Sequence, residues 1–335
     1  MSAAVLLLLL GTIQAESELR KREREIQEVL DKVRPSVALV TAIFKLDSGQ
    51  VVEELSFSGV VYSKEGHVVT DASGVHQASE LHVRAGGRGA PAEHVASDRR
   101  SGVAVLRVRL PDLVPAEFAE GAAAPGATAI AVGHALGARW SAAVGSVTAR
   151  GLSVLVKNRR FDDLLQVSAP VQPGDAGGFV ADAAGKCLGL VHSGTAPELE
   201  RGPAGNLLPL FGKDEGDVLG AARGSGFVTP AEWVRFSADR IIKHGRMIRG
   251  WIGLSARPAP RGAEIVRVDF DGPARRAGLA PKDVLVEFDG EPVKDVDALR
   301  WKVAREESCR VVKVVVERDG TRRDVDLNIE IDPQR

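Results

Sequence analysis

The sequence has few of the residues that build disulfide or metal frameworks. Only two cysteines, Cys187 and Cys309, occur among 335 residues. They lie far apart and outside any metal-ligand spacing, so we interpret both as buried free thiols. The motifs HxH and HExxH do not occur in the printed sequence, and we therefore predict neither a metal site nor a cofactor.

The chain also lacks an excess of charge of either sign. Its 44 Lys and Arg residues nearly balance 45 Asp and Glu residues, for a formal net charge of -1. Such a balance provides no global field for nucleic acid, and we predict no nucleic-acid partner. Hydrophobic residues make up 44% of the chain and charged residues 27%, as is typical of a folded protein of two domains.

No hydrophobic run in the N-terminal segment is long enough to cross a bilayer comfortably. The apolar stretch from Ala3 to Leu10 falls short of the ~20 residues that a membrane-spanning helix needs. It is followed by small Ala15 and charged Glu16, which predicts a secretory signal peptide over residues 1–15 and an extracytoplasmic protein, periplasmic or secreted. Because Lys and Arg are missing before the apolar stretch, retention as a membrane anchor is the alternative.

Residues 16–34 are predicted to form a charged helix before the first domain. Basic and acidic side chains alternate there, which is typical of a solvated helix face. Pro35 ends the helical pattern. One face carries apolar residues at helical spacing: Ile26, Val29, Leu30 and Val33.

Short β-runs separated by glycine fill the chain from residue 35 to about residue 230. Many short strands at regular spacing indicate an all-β barrel or sandwich rather than alternating βαβ units. A helix follows over residues 231–245, and Gly245 is its predicted C-cap. We place the first domain at residues 35–242 and a second at residues 243–335, which ends in a hairpin around Asp319 and Gly320.

The second domain resembles the PDZ domains attached to HtrA-type (Deg) proteases. The similarity rests on RGWIGL at 249–254, GPARRAGLAPKDVLVEFDGEPV at 272–293, a following helix and the closing hairpin. PDZ domains bind peptides between a strand edge and a helix, and loop amides hold a terminal carboxylate. The resemblance therefore implies a peptide-binding site formed by Trp251, Ile252, Gly253, Leu254, Leu299 and Val303. The alternative is a groove that stays closed.

The resemblance to HtrA-type proteases extends upstream over most of the chain. It rests on SGVVYSKEGHVVT at 58–70, DRRSGVAVLRV at 98–108, VGHALGARWSAAVGSVTARG at 132–151 and GSGFVTP at 224–230. It implies a mainly β protein, with a trypsin-like double six-stranded β-barrel followed by the α+β PDZ domain.

The three positions that carry the catalytic triad in this family hold other residues here. The family strings TNNHVV, TDLAVL and GNSGG align without gaps onto residues 70–75, 101–106 and 174–178. The histidine falls on Ser73, the aspartate on Gly102 and the serine on Ala176. A serine hydrolase needs a nucleophile, a base and an orienting acid, and these residues supply none of them. We therefore predict a pseudoprotease rather than an enzyme.

The loop QPGDAGG at 172–178 has kept the glycines of the family's nucleophile loop. The resemblance implies an oxyanion hole made by the backbone amides of Gly174 and Ala176, which do not depend on the side chain. The alternative is that Gly177 and Gly178 only preserve a turn. A rewired hydrolase that uses His76 is a weaker hypothesis, because no serine or cysteine remains in this loop.

Three functional hypotheses follow from the resemblance. The first is a peptide-binding adaptor or chaperone-like scaffold that uses its PDZ groove on C-terminal or extended segments of other proteins. The second is residual or rewired serine endopeptidase activity. The third is a regulatory subunit of an active HtrA-type protease, since the family's trimers imply homo-oligomers or mixed oligomers.

Overall fold

The computed structural model describes residues 3–121, 123–137, 139–156, 159–172, 174–192, 199–201, 207–209 and 226–332. Two compact units make up the chain, residues 1–246 and residues 247–335. The predicted boundary at 242/243 falls inside the helix Ala231–His244, which ends only at the left-handed cap Gly245. The second unit therefore starts four residues later than the sequence pattern placed it.

Helix α1 (Ala3–Val33) spans both predicted N-terminal segments as one helix, and a short 3-10 turn (Arg34–Ser36) follows it. On the predicted apolar face, Leu30 and Val33 are buried, while Ile26 and Val29 are partly exposed. The Lys32 amine donates to the Glu117 carboxylate and to the Ala184 carbonyl, so the last turn of α1 is fixed to the first unit. None of the helices in the described ranges combines the length and apolar character needed to cross a membrane.

The first barrel closes six antiparallel strands in the order β1-β2-β3-β6-β5-β4. The β1–β2 register pairs Val37 with Val60, and β1 closes the barrel on β4. Alternating apolar residues point inward, and the core includes Val40, Val68, Val83 and Leu106. The strands are β1 (Val37–Lys45), β2 (Val51–Val61), β3 (His67–Asp71), β4 (Glu80–Ala85), β5 (Arg88–Asp98) and β6 (Val103–Val108).

The second barrel closes in the order β10-β11-β14-β9-β8-β7. Helix α2 (Ala231–His244) follows β14 and contacts β5 and β6 of the first barrel. The barrel strands are β7 (Thr128–Ala135), β8 (Arg139–Val156), β9 (Arg159–Val167), β10 (Phe179–Ala181), β11 (Cys187–Val191) and β14 (Gly226–Pro230). Strands β12 (Leu199–Arg201) and β13 (Leu207–Pro209) pair separately.

The second unit is a sheet in the order β15-β21-β20-β18-β17-β16, with β19 paired to β18. Its core contains Ile265, Leu285, Phe288 and Leu327. The strands are β15 (Gly250–Trp251), β16 (Leu254–Ala259), β17 (Gly262–Val268), β18 (Val284–Phe288), β19 (Glu291–Pro292), β20 (Arg310–Arg318) and β21 (Thr321–Ile331). Its helices are α3 (Pro273–Arg276) and α4 (Val296–Ala304).

The observed architecture confirms the predicted fold: two six-stranded barrels followed by an α+β unit. One of the two predictions for the cysteines is wrong. Cys187 is buried, and burial raises the pKa of its thiol to about 12, but Cys309 is exposed. Cys309 directly precedes β20 at the surface of the second unit, where the apolar strand pattern has not yet begun.

Candidate functional site

Residues 174–178 of the nucleophile loop named in the sequence analysis form a tight turn before β10. The Asp175 carboxylate accepts hydrogen bonds from the Gln172 amide at 2.8 Å and from the Ser141 hydroxyl at 3.1 Å. The Gly178 amide closes the turn on the Asp175 carbonyl at 2.7 Å. Burial raises the pKa of Asp175, and the two hydrogen bonds offset part of that rise. Asp175 therefore stabilises the loop through hydrogen bonds to its side chain and to its backbone carbonyl.

Gly177 shows why this loop needs glycine. Its φ is +77°, and a Cβ on it would lie 2.3 Å from the Thr70 hydroxyl and 2.8 Å from the Asp71 amide. An L-residue would meet both the strain of the left-handed region and this close approach to β3. The turn thus requires glycine at residue 177, and this holds whether or not the loop has a further role.

Ser58, on β2, joins the first barrel to the nucleophile loop. Its hydroxyl donates to the Gly174 carbonyl at 2.8 Å and accepts from the His134 amide at 2.8 Å. Its own amide donates to the Ala176 carbonyl at 3.0 Å. The sequence analysis did not single out Ser58, and a small polar residue between Phe57 and Gly59 in an apolar strand was the available signal.

The amides of Gly174 and Ala176 are the predicted oxyanion donors. Within the described part of the chain neither of them donates a hydrogen bond, and both residues are partly exposed. Gly174 has φ +94° and lies against the turn at Leu136 and Gly137, where a Cβ would approach the Gly137 amide nitrogen to 2.5 Å. The loop therefore still offers two backbone donors. Their role as an oxyanion hole stays a prediction.

Ser73 lies in the turn after β3, at the predicted position of the base. Its side chain is exposed, and both its amide and its hydroxyl donate to Asp71 Oδ1, at 2.9 and 2.5 Å. This is a local turn in which the carboxylate two residues back caps the chain. A hydroxyl has no basic atom at neutral pH, so the turn holds no general base at residue 73.

Gly102, at the predicted position of the acid, has φ +74° and no side chain. Its carbonyl accepts from the Ala72 amide at 2.7 Å, and its amide donates to the Asp98 carbonyl at 2.9 Å. The turn holding Ser73, the Gly102 segment and the nucleophile loop thus meet at residues 70–72 of the first barrel. The fold brings the three predicted positions to one place, and none of them carries the side chain that the resemblance implies for it.

His192 lies beside Gly102, and the sequence analysis missed it. Only 3% of its side chain is exposed, and its Nδ1 is 3.9 Å from Asp71 Oδ2. The Phe161 ring meets the imidazole edge-on, with ring centroids 4.1 Å apart. The signal in the sequence was a histidine directly after the buried strand β11.

The other histidines that lie near residue 73 in the sequence take no such position. His76, the candidate for a rewired base, is exposed and makes no hydrogen bond in the described part of the chain. His67 bonds the Ser63 hydroxyl at 2.8 Å, and His82 lies 4.0 Å from Glu80 on the surface. Among the described residues, no group of three His, Cys, Asp or Glu side chains is placed to hold a metal ion.

The predicted peptide site in the second unit lies where β15 turns into β16. Gly253 occupies the turn with φ +71°, and a Cβ on it would lie 2.8 Å from the Gly272 Cα. The carbonyls of Ile252 and Gly253 accept from the Ala274 and Asp269 amides at 2.8 and 2.9 Å. Among the described strands, β16 pairs only with β17, and α4 contacts β16. The arrangement is a strand edge beside a helix.

The side chains predicted for this groove differ in their accessibility. Ile252, Leu299 and Val303 belong to the core of the unit and are only 5%, 4% and 7% exposed. Trp251 and Leu254 are half-buried and form the accessible part of the predicted site. A peptide at this edge would meet those two first, with the α4 side chains beneath. Whether these residues bind a peptide stays a prediction.

Comparison with known families matches two domains within the chain. Residues 57–190 match the trypsin-like peptidase domain, and residues 250–329 match the PDZ domain. The first match covers the strands and loops that carry Ser58, Ser73, Gly102 and Ala176. The second covers the whole strand-edge arrangement around Gly253.

Curated relatives match most of this chain at modest identity. A probable periplasmic serine endoprotease DegP-like from Halomonas elongata is 27% identical over 288 residues, which is 81% of this chain and 56% of the relative. Its counterpart from Brucella suis is 28% identical over 292 residues, 82% of this chain and 52% of the relative. The chain thus spans about half the length of the curated relatives it matches.

Solved structures resemble nearly the whole chain. The HtrA-type protease AlgW with tripeptide has a TM-score of 0.72 and 27% identity, covering 91% of this chain and 96% of that one. A serine endoprotease from Yersinia pestis, at 21% identity and a TM-score of 0.65, shares the fold. The chain thus contains a trypsin-like peptidase domain followed by a PDZ domain, and it is homologous to the DegP/HtrA serine endoproteases.

Proposed function

We propose that this chain is an exported member of the HtrA family that has lost proteolysis and binds peptide segments of other proteins through its PDZ domain. The observation that carries the proposal is the set of residues at the meeting point of the two barrels. Ser73, Gly102 and Ala176 stand where the family's histidine, aspartate and serine align. Because the chain spans only about half the length of its curated relatives, we do not infer their activity for it.

The chemistry at the meeting point supports the loss of proteolysis. Ala176 has only a methyl group, which cannot attack a carbonyl carbon. The Ser73 hydroxyl donates to Asp71 and offers no base. Removal of a whole triad costs on the order of 10⁶-fold in turnover. The amides of Gly174 and Ala176 would retain only a small part of the catalysis.

The geometry of the second unit supports peptide binding. An edge strand offers unpaired amides and carbonyls to an extended peptide, and the neighbouring helix supplies the other wall. The Gly253 turn lies at the start of that strand, where a terminal carboxylate would be held. The solved AlgW structure carries a tripeptide, and we extend peptide binding to this chain on the likeness of its PDZ unit.

A direct test of the first part incubates the purified chain with a fluorophosphonate probe and with unfolded casein. We expect neither labelling nor cleavage. The matched control is Ala176→Ser, which returns a hydroxyl without a base and should also remain unlabelled. Labelling of the unaltered chain would contradict the proposal and favour the serine endopeptidase alternative, which the names of the relatives support.

The second part is tested by isothermal titration against a library of C-terminal peptides. We expect micromolar binding of peptides with an apolar last residue, and weaker binding when their carboxylate is amidated. Absence of binding by every apolar tail would remove the groove assignment.

Location and partners complete the proposal. The curated relatives are named periplasmic, which supports an extracytoplasmic place for this chain. A stand-alone adaptor and a subunit of an active HtrA-type protease are distinguished by affinity capture from the native host. Co-purification of an active homologue in stoichiometric amount would support the subunit role, and its absence the adaptor role.

A further inference from the structure

The space beside Gly102 is occupied by a side chain from the other barrel. A Cβ built on Gly102 would lie 3.0 Å from His192 Nε2 and 3.4 Å from His192 Cδ2. The ring of Phe161 would lie 3.4 Å away as well. The 3.0 Å approach to the imidazole is closer than Cβ atoms normally come to a neighbour. A side chain at residue 102 must therefore displace the imidazole.

His192 is held in this place from both barrels. Its amide donates to the Phe227 carbonyl at 2.8 Å, which fixes the backbone to β14 of the second barrel. Its Nδ1 lies 3.9 Å from Asp71 Oδ2, at the end of β3 in the first barrel. Both side chains are almost completely buried, at 3% and 4% exposure.

Asp71 connects this pair to the turn that replaces the base. Its Oδ1 accepts from the Ser73 amide and hydroxyl, while its Oδ2 faces His192. The amide of Ala72, which lies between Asp71 and Ser73 in the chain, donates to the Gly102 carbonyl. A histidine and an aspartate thus remain at the junction of the barrels, but they come from other positions and are buried.

We propose that His192, paired with Asp71, is the positioning residue that locks the barrel junction in its non-proteolytic form by filling the space of a residue-102 side chain. The inference rests on the proposed loss of proteolysis, and it names the contact by which the structure keeps a side chain out of the space beside residue 102. Restoring the family's residues at Ser73, Gly102 and Ala176 is then insufficient for a return of the triad, because the side chain of the acid must first displace His192.

A double-mutant cycle measures the contact without reference to catalysis. Gly102→Ala is introduced into the full chain with His192 and into the His192→Asn chain, and equilibrium unfolding by urea is followed for all four. The strain of φ +74° is common to both backgrounds and cancels. We expect Gly102→Ala to raise the equilibrium constant for unfolding by a factor at least about fivefold larger when His192 is present. Equal effects in the two backgrounds would overturn the inference.

Gly121→Ala provides the matched control. Gly121 has φ +76°, close to that of Gly102, and a Cβ on it would meet nothing within 4 Å. Its effect should be the same with and without His192. If His192→Asn does not fold, Asp71→Asn serves as the second background, because it removes the carboxylate charge that faces His192 Nδ1. Coupling to Gly102→Ala in that background supports the inference, and its absence counts against it.

Hydrolysis gives an independent readout. Chains carrying Ser73→His, Gly102→Asp and Ala176→Ser are compared with and without His192→Asn on casein. Greater cleavage by the fourfold variant supports the inference, and equal cleavage by both contradicts it. The proposed function fails by a different result, namely labelling or cleavage by the unaltered chain, so the two failures are distinguishable.

Discussion

The hydroxyl of Ser58 donates a 2.8 Å hydrogen bond to the carbonyl of Gly174, and this bond ties the first barrel to the loop that aligns with the family's nucleophile loop. The same oxygen accepts from the His134 amide at 2.8 Å. Ser58 is completely buried, so water cannot replace either bond. The conformation of the loop thus depends on the hydroxyl of a residue that does not align with any of the family's three triad positions.

Ser58→Ala should therefore destabilise the first unit by about 1–3 kcal/mol, because it removes a buried hydroxyl and leaves the part-buried His134 amide and Gly174 carbonyl without it. Urea unfolding of the full chain measures the change. Ser146→Ala is the control, since it removes a surface contact of 3.4 Å and should cost less than about 0.5 kcal/mol. Similar costs for the two variants would refute the bridging role of Ser58.

Gly253→Ala should weaken peptide binding while leaving the sheet folded. At φ +71° an L-residue is strained, and the new Cβ would press on the Gly272 Cα, so the turn must move. We expect the affinity for a C-terminal peptide to fall at least about tenfold, which corresponds to about 1.4 kcal/mol. Titration calorimetry provides the measurement.

Gly290→Ala is the matched control for that turn. Gly290 has φ +77°, but a Cβ added to it would meet no atom within 4 Å, and it belongs to the β18–β19 turn. It should carry the backbone strain alone and bind peptide as the unaltered chain does. If both variants bind normally, the Gly253 turn is not the carboxylate site.

Asp175→Asn should change how stability depends on pH. Burial raises the pKa of Asp175 in the folded chain, so the folded state takes up a proton more readily than the unfolded state. The stability that protonation contributes is complete below the unfolded pKa and is lost as the pH rises through the folded pKa. Relative to Asp175→Asn, the unaltered chain should gain stability on acidification from neutral pH. A pH-independent difference between the two chains would show that Asp175 does not titrate in this way.

Asp283→Asn should destabilise the PDZ unit. Arg318 donates to both carboxylate oxygens of Asp283, at 2.6 and 2.7 Å. Burial alone would raise the pKa of Asp283, but the bonds from Arg318 and the Ala280 amide outweigh it and keep the pKa below its usual range. This stabilisation is present above the unfolded pKa and disappears as the pH falls through the folded pKa.

At neutral pH we expect the thermal midpoint of the PDZ unit to fall by about 5–10 °C in Asp283→Asn. Calorimetry of the full chain resolves the transition. Glu317→Gln is the control, because its pair with Arg322 lies on the surface and should shift the midpoint by no more than about 2 °C. An equal shift in both variants would argue against a special role for the buried carboxylate.

The fold was predictable because its signals are local. Alternating apolar residues define the strands, and the glycines at residues 177 and 253 mark turns with positive φ. Motif order then identified the two domains. The predicted domain boundary lies four residues too early. The helix before Gly245 belongs with the first unit through its tertiary contacts, which the sequence pattern does not show.

The site was predictable only in part. Alignment placed Ser73, Gly102 and Ala176, and the fold brings their segments together. The roles of Ser58 and His192 depend on contacts between strands that are distant in sequence, which periodicity does not encode. Burial of Leu299 and Val303 likewise depends on how closely α4 packs on the sheet.

The position of β14 between β11 and β9 has a consequence for biosynthesis. The second barrel begins with β7 at residue 128, yet it cannot close until residues 226–230 are available. A pairing of such long sequence separation forms late, because loop closure must precede the contacts that reward it. The first barrel is complete by residue 108, so it can close during synthesis well before the second barrel, whose closing strand is made last.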